Sequence, residues 1–222
     1  AERIYGDRMA ELWGDFLPVP ERQIVTHSDG ETIEIGDLRI QTYEALGHAY
    51  HHVVYIYDDT CFSGDVGGIR LPDSRYMQLP TPPPDFHLEL WRDTVKNMTR
   101  IHGQGSFHKI AVTHYGIFED AGLHLHTLAG LLDEMDGWID CVMPGCLSVS
   151  ELHEVFLADS REKAQRAGFT AGEIQALEAA NPSMMSAQGI YRYWHKIRSP
   201  AGTSRTASGL KLNAQNDNSD AG

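Results

Sequence analysis

Between residues 31 and 65 the chain alternates apolar and polar residues in four short runs, and this stretch limits the fold more than any other. "ETIEIG" and "LRIQTYEA" meet at Gly36-Asp37, while "HVVYIYDD" and "TCFSGD" meet at Asp58-Asp59. Side chains alternate faces along a strand, so two turn-forming residues between period-two runs predict a β-hairpin. Residues 32–65 are therefore expected as an antiparallel meander with one apolar face. The rest of the chain must cover that face.

Most of that remainder reads as helix. Residues 4–16 put Ile4, Met9, Leu12, Trp13 and Phe16 on roughly one side of a short helix, which the two prolines of "LPVPERQ" stop. A proline-rich excursion, residues 69–84, is predicted to be irregular and, at that length, functional. Asp85 reads as an N-cap for a helix over 86–101, and "HKIAVTHYG" as a short buried strand ending at His114. Helical patterns follow over 119–135, 148–167, 170–179 and 182–196. From residue 198 the chain turns Ser-, Asn- and Gly-rich with few apolar anchors, the composition of a disordered tail. The class is α/β, with few strands for its helices.

Composition narrows the chemistry. The net charge is −13, from 31 acidic and 18 basic residues, and no Lys/Arg cluster stands outside the tail. Phosphate backbones are held by such clusters, so nucleic acid is not the expected partner. No apolar run approaches the 18 residues of a membrane span, and the N-terminus lacks the apolar core of a signal peptide. The three cysteines, Cys61, Cys141 and Cys146, make no disulfide framework; they read as ordinary thiols of a cytoplasmic protein.

The segment "LGHAYHHVVYIYDDTCFSGDVGG" sets His48, His51 and His52 before one strand and Asp65 after the next. His48, Asp65 and His114 each follow a β-type run, and Gly47 and Gly64 precede the first two. Histidines and a carboxylate at neighbouring strand ends can converge on one edge of a sheet and share a borderline Lewis acid such as zinc. A glycine beside each of those two lets the backbone turn sharply. A polar loop between strands accounts for the same letters, and spacing alone favours neither reading.

"ALGHAYHHVVY…CFSGD…AVTHYG" resembles the second half of the metallo-β-lactamase-fold hydrolases, with Leu46 where the family usually has proline. The resemblance covers roughly residues 4–196. It implies part of an αββα sandwich, an antiparallel meander plus helices, with a helical section over about 119–197 capping the substrate and a tail over 198–222. By position, His48 would ligate a first metal, Asp65 would bridge two metals as the catalytic carboxylate, and His114 would ligate the second. His52 would orient the loop through its ring N–H, and Tyr115 would pack. Two zinc ions are implied, with iron or manganese chemically admissible, and a small ester, thioester, lactone or amide as substrate. The fold's oxidoreductase branch carries di-iron, but nothing here suggests a flavin partner domain.

The family's H-x-H-x-D-H motif is missing from the 222 residues. The nearest string, "LHLHTLAG", offers Leu128 and Ala129 where Asp and His belong, and lies in a helical pattern where i and i+2 point apart. The chain is therefore expected to be the C-terminal portion of a longer hydrolase, inactive alone. The alternative is a catalytically dead homologue serving as a binding or assembly module. Either way, the inner face of the meander is expected to be left bare, a surface that invites a homodimer.

Overall fold

Gly36 and Asp58 both take the left-handed backbone (φ 58° and 54°) that tight hairpin turns need, and each reverses a pair of strands. The computed structural model describes residues 11, 14, 15, 17–145 and 148–198. Strands β1 (Thr32–Ile35), β2 (Leu38–Glu44), β3 (Val53–Tyr57) and β4 (Thr60–Gly64) form the expected antiparallel meander. After the short hairpin of β5 (Ile69–Arg70) and β6 (Met77–Gln78), the chain returns to the sheet as β7 (Lys109–Val112) and β8 (Ile117–Phe118). The sheet order is β1-β2-β3-β4-β7-β8, and β7 runs parallel to β4. Strands β2, β4 and β7 thus share a direction, and their C-terminal ends line one rim.

Helices α1 (Leu88–Gly103), α2 (Ala121–Val142), α3 (Val149–Arg166), α4 (Ala171–Ala180) and α5 (Ser183–Tyr193) complete the described α/β fold, followed by a π-helical turn at Trp194–Arg198. Several bounds differ from the sequence expectation. His87, and not Asp85, is the N-cap residue of α1. A hairpin replaces part of the supposedly irregular 69–84 stretch, because Ile69 and Met77 bury their side chains as a two-stranded ladder. The α2 helix runs seven residues past the predicted end, since no breaker intervenes before Pro144. The expected 4–16 helix falls almost wholly outside the described residues, as does the tail.

One face of the sheet carries the core. Val54, Ile56, Cys61 and Ile110 meet Trp91, Val95, Met98 and Ile101 of α1 and Leu125, Leu128 and Leu132 of α2 in one cluster. Each of the larger side chains contributes about 1.5–3 kcal/mol by leaving water. Burial also pushes the Cys61 thiol up to about 12, which makes it an inert core residue. Arg70 ties the β5–β6 hairpin to the start of α2. Its guanidinium donates to both Asp120 oxygens at 2.7 and 3.0 Å and to Ser74 O at 2.6 Å, and lies over Phe118. Among the described residues nothing covers the opposite face. Tyr55 pairs across to Phe62, Phe62 to Ala111 and Ala111 to Ile117, a row in which only Ala111 is buried.

Candidate metal centre

The shared rim of β2, β4 and β7 gathers His48, Asp65 and His114. Nε2 of His48 lies 3.5 Å from Oδ2 of Asp65, and Nε2 of His114 lies 3.7 Å from Oδ1. Ligands held about 2.0–2.1 Å from one tetrahedral zinc stand about 3.4 Å apart, so these spacings are those of donors around a cation. Each imidazole addresses a different oxygen of the carboxylate. The carboxylate therefore stands between the two rings. Among the described residues no three His, Cys, Asp or Glu side chains close into a ready-made metal cluster.

Hydrogen bonding tests whether the residues suit a cation. Nδ1 of His48 is 2.9 Å from the carbonyl oxygen of Pro80. A carbonyl only accepts, so Nδ1 must carry the proton, and a neutral ring then has its lone pair on Nε2. That lone pair faces a carboxylate oxygen that also only accepts. Two acceptors stay in such contact through a positive charge between them, either a second proton on the ring or a metal ion. A carbonyl partner that fixes the tautomer is the usual support of a metal-ligating histidine. The donor set fits.

The local backbone explains how Asp65 reaches the rim. Between Phe62 and Gly64 the β4–β7 register slips by one residue, so Ser63 is an extra residue that bends the strand just before the aspartate. Ser63 is buried and donates to Ala111 O at 3.1 Å. Asp65 then opens a one-turn 3₁₀ helix, Asp65–Gly67, gripped by three side chains. His52 Nε2 accepts from Val66 N at 3.4 Å, Trp91 Nε1 donates to Val66 O at 2.8 Å, and His124 Nε2 donates to Gly67 O at 2.8 Å.

His52 therefore acts on the loop through its ring lone pair, the reverse of the expected N–H contact. Its Nδ1 is buried and has no hydrogen-bond partner among the described residues. Burial, with His48 adding to it, pushes the His52 pKa down to about 4, so the ring is neutral near pH 7. His51 is exposed, 3.9 Å from Asp85. Tyr115, at φ 74°, packs outward and donates to Ala176 O of α4 at 2.6 Å, which fastens the His114 turn to the helical section. "LHLHTLAG" lies in α2 with His124 buried and His126 exposed, on different faces, so it is no metal motif.

Trp91 and the Pro80 carbonyl were not singled out from sequence, and His124 was weighed only as part of "LHLHTLAG". Only His124 left a trace there, as a polar residue in line with the apolar positions Leu125, Leu128 and Leu132 of α2. A cleft of about 230 Å³ opens beside the rim, walled by His48, His52, Asp65 and Pro82–Pro84. His48 is 13% exposed, Asp65 32% and His114 34%, so solvent reaches the donors from this side.

No protein-family model matches the chain. A curated relative, the metallo-beta-lactamase fold-containing protein ST1585 of Sulfurisphaera tokodaii, is 24% identical over 101 residues, 46% of this chain and 38% of the relative. The match thus spans well under half of that relative's length. Among solved structures, an archaeal metallo-beta-lactamase superfamily protein from Sulfolobus tokodaii aligns with a TM-score of 0.46 at 19% identity, over 60% of this chain and 48% of that one. A metallo-beta-lactamase family protein from Thermus thermophilus aligns at 0.42 and 14%, over 76% and 48%.

Proposed function

Taking as premise a chain related to the metallo-β-lactamase-fold proteins, we propose that the His48–Asp65–His114 rim holds divalent cation and serves hydrolysis of a small ester, thioester, lactone or amide. The observation that carries this reading is the orientation of His48: its Nδ1 proton is committed to Pro80 O, which leaves Nε2 as the ring atom that faces Asp65. His48 and His114 would be the imidazole donors on either side, with the Asp65 carboxylate between them. A divalent cation held there would supply Lewis-acid polarisation of the scissile carbonyl and a nucleophilic water at neutral pH. Zinc suits the set best, while iron and manganese accept the same donors.

The remaining residues position and select. His52 is neutral and committed to Val66 N, so it holds the aspartate turn without competing for the cation. The Pro82–Pro84 wall is stiff and carries no N–H, which leaves an apolar surface for the acyl part of a substrate. Three donors are too few for a two-metal hydrolytic site. We assign the missing donors to sequence outside this chain, and expect the chain alone to bind metal without efficient turnover. The second reading, a binding or assembly module, draws on the missing H-x-H-x-D-H motif.

Calorimetric titration of the metal-free chain with zinc tests the assignment. Binding is expected to be lost in His48→Ala and Asp65→Ala and kept in His51→Ala, whose ring points to Asp85. Equal zinc uptake by all four proteins would remove the rim from the account.

A further inference from the structure

A second and larger cavity, about 310 Å³, opens between the β5–β6 hairpin and helices α2 and α3. It shares no lining residue with the cleft at the metal rim. Its floor is apolar: Met77, Leu79 and Phe156 are buried, and Trp138 stands edge-on to Phe156 with ring centroids 5.6 Å apart. Leu131 and Met135 of α2 complete that surface. Methionine and aromatic rings together make an adaptable wall for an apolar guest.

Charge is concentrated at the edge. The lining cations are Arg75, Lys163 and Arg166, and the lining carboxylates are Glu134 and Asp159. Lys163 is paired with Asp159 at 3.0 Å, and Arg166 with Glu162 at 2.5 Å. Arg75 is exposed and has no carboxylate partner among the described residues, so its guanidinium is free to take an anionic head group. Among the described residues Glu134 is the one lining carboxylate without a cationic partner, so once the two pairs are set aside a single cation, Arg75, and a single carboxylate remain at the edge.

We propose that this cavity binds an amphipathic organic acid, its carboxylate on Arg75 and its apolar body against Met77, Leu131, Trp138 and Phe156. At roughly 30 Å³ per methylene-sized group, the volume admits about ten such groups, a medium-chain acid. The site shares no residue with the metal rim, although neighbouring residues serve the two: Leu79 lines the cavity, and the next residue, Pro80, accepts from His48 through its carbonyl.

The test uses the full chain, freed of metal with chelator so that the rim plays no part. Decanoate, kept below its micelle concentration, is titrated against tryptophan emission and by calorimetry, with decylamine as the head group of opposite charge. Decanoate is expected to bind saturably at one site and to lose at least tenfold in affinity in Arg75→Gln, an exposed substitution that leaves the fold alone. Leu131→Trp, which fills the cavity, is expected to abolish binding, its folding verified by circular dichroism. No saturable binding by the wild type overturns the proposal. So does tighter binding of decylamine, or decanoate binding that Arg75→Gln leaves unchanged.

Discussion

Gly64 holds a backbone conformation, φ 58° and ψ −150°, that is open only to glycine, and a Cβ there would lie 2.8 Å from Nε2 of His52. The penalty falls where the aspartate turn begins. Gly64→Ala is expected to lower stability by about 1–3 kcal/mol, read from a urea unfolding curve, and to weaken zinc binding by displacing His52. Gly47 is constrained in the same way from the other side: at φ 127°, a Cβ would stand 2.3 Å from Cβ of Trp91. Both glycines were legible in the letters as neighbours of a prospective ligand, because a Gly before a His or Asp at a strand end is a local pattern. The Pro80 carbonyl that sets the His48 tautomer was not. A backbone oxygen 32 residues downstream leaves no mark on sequence spacing.

At the scale of elements, the important piece is the single 3₁₀ turn Asp65–Gly67. Its backbone groups are claimed by three side chains from three elsewhere-rooted elements: His52 at the mouth of β3, Trp91 of α1 and His124 of α2. Trp91→Phe keeps most of the buried ring and removes one donor, leaving the Val66 carbonyl unpaired in the core. The expected cost is about 1–3 kcal/mol, together with a several-fold loss of zinc affinity. A loss of stability with zinc affinity unchanged would show that the turn does not need the grip. Trp91 was not singled out from sequence and His124 was weighed only within "LHLHTLAG", since a ring that packs and a ring that also donates look the same in a periodic pattern. The directions within the meander were easier, because two-residue turns fix their alternation; the parallel pairing of β7 with β4 had no such local signal.

Among the described residues the sheet is one-sided: helices cover one face, and the other shows Tyr55, Phe62 and Ile117 in a single cross-strand row. Stability rests on the main core, on a smaller cluster of Ile69, Leu71, Ala164 and Leu177, and on polar locks around them, some of which are pH-dependent. Glu89, hydrogen-bonded first by His87 and then by the Tyr193 hydroxyl at 2.6 Å, is held down to about 2 from an ordinary value of 4.5. Because the folded pKa is the lower one, its contribution is complete above pH ~4.5 and is lost as pH falls toward 2. Urea midpoints measured over that range should show wild type more stable than Glu89→Gln at pH 7, with the gap closing by pH 2. A gap independent of pH would remove the carboxylate from the explanation. The central claim is that the rim binds a cation through His48, Asp65 and His114. Anomalous scattering above the zinc edge, from crystals of the zinc-loaded chain, tests it most directly. The account predicts density within bonding distance of Nε2 of at least one rim histidine and of an Asp65 oxygen; zinc peaks found only elsewhere, such as at His51 or His126, would contradict it.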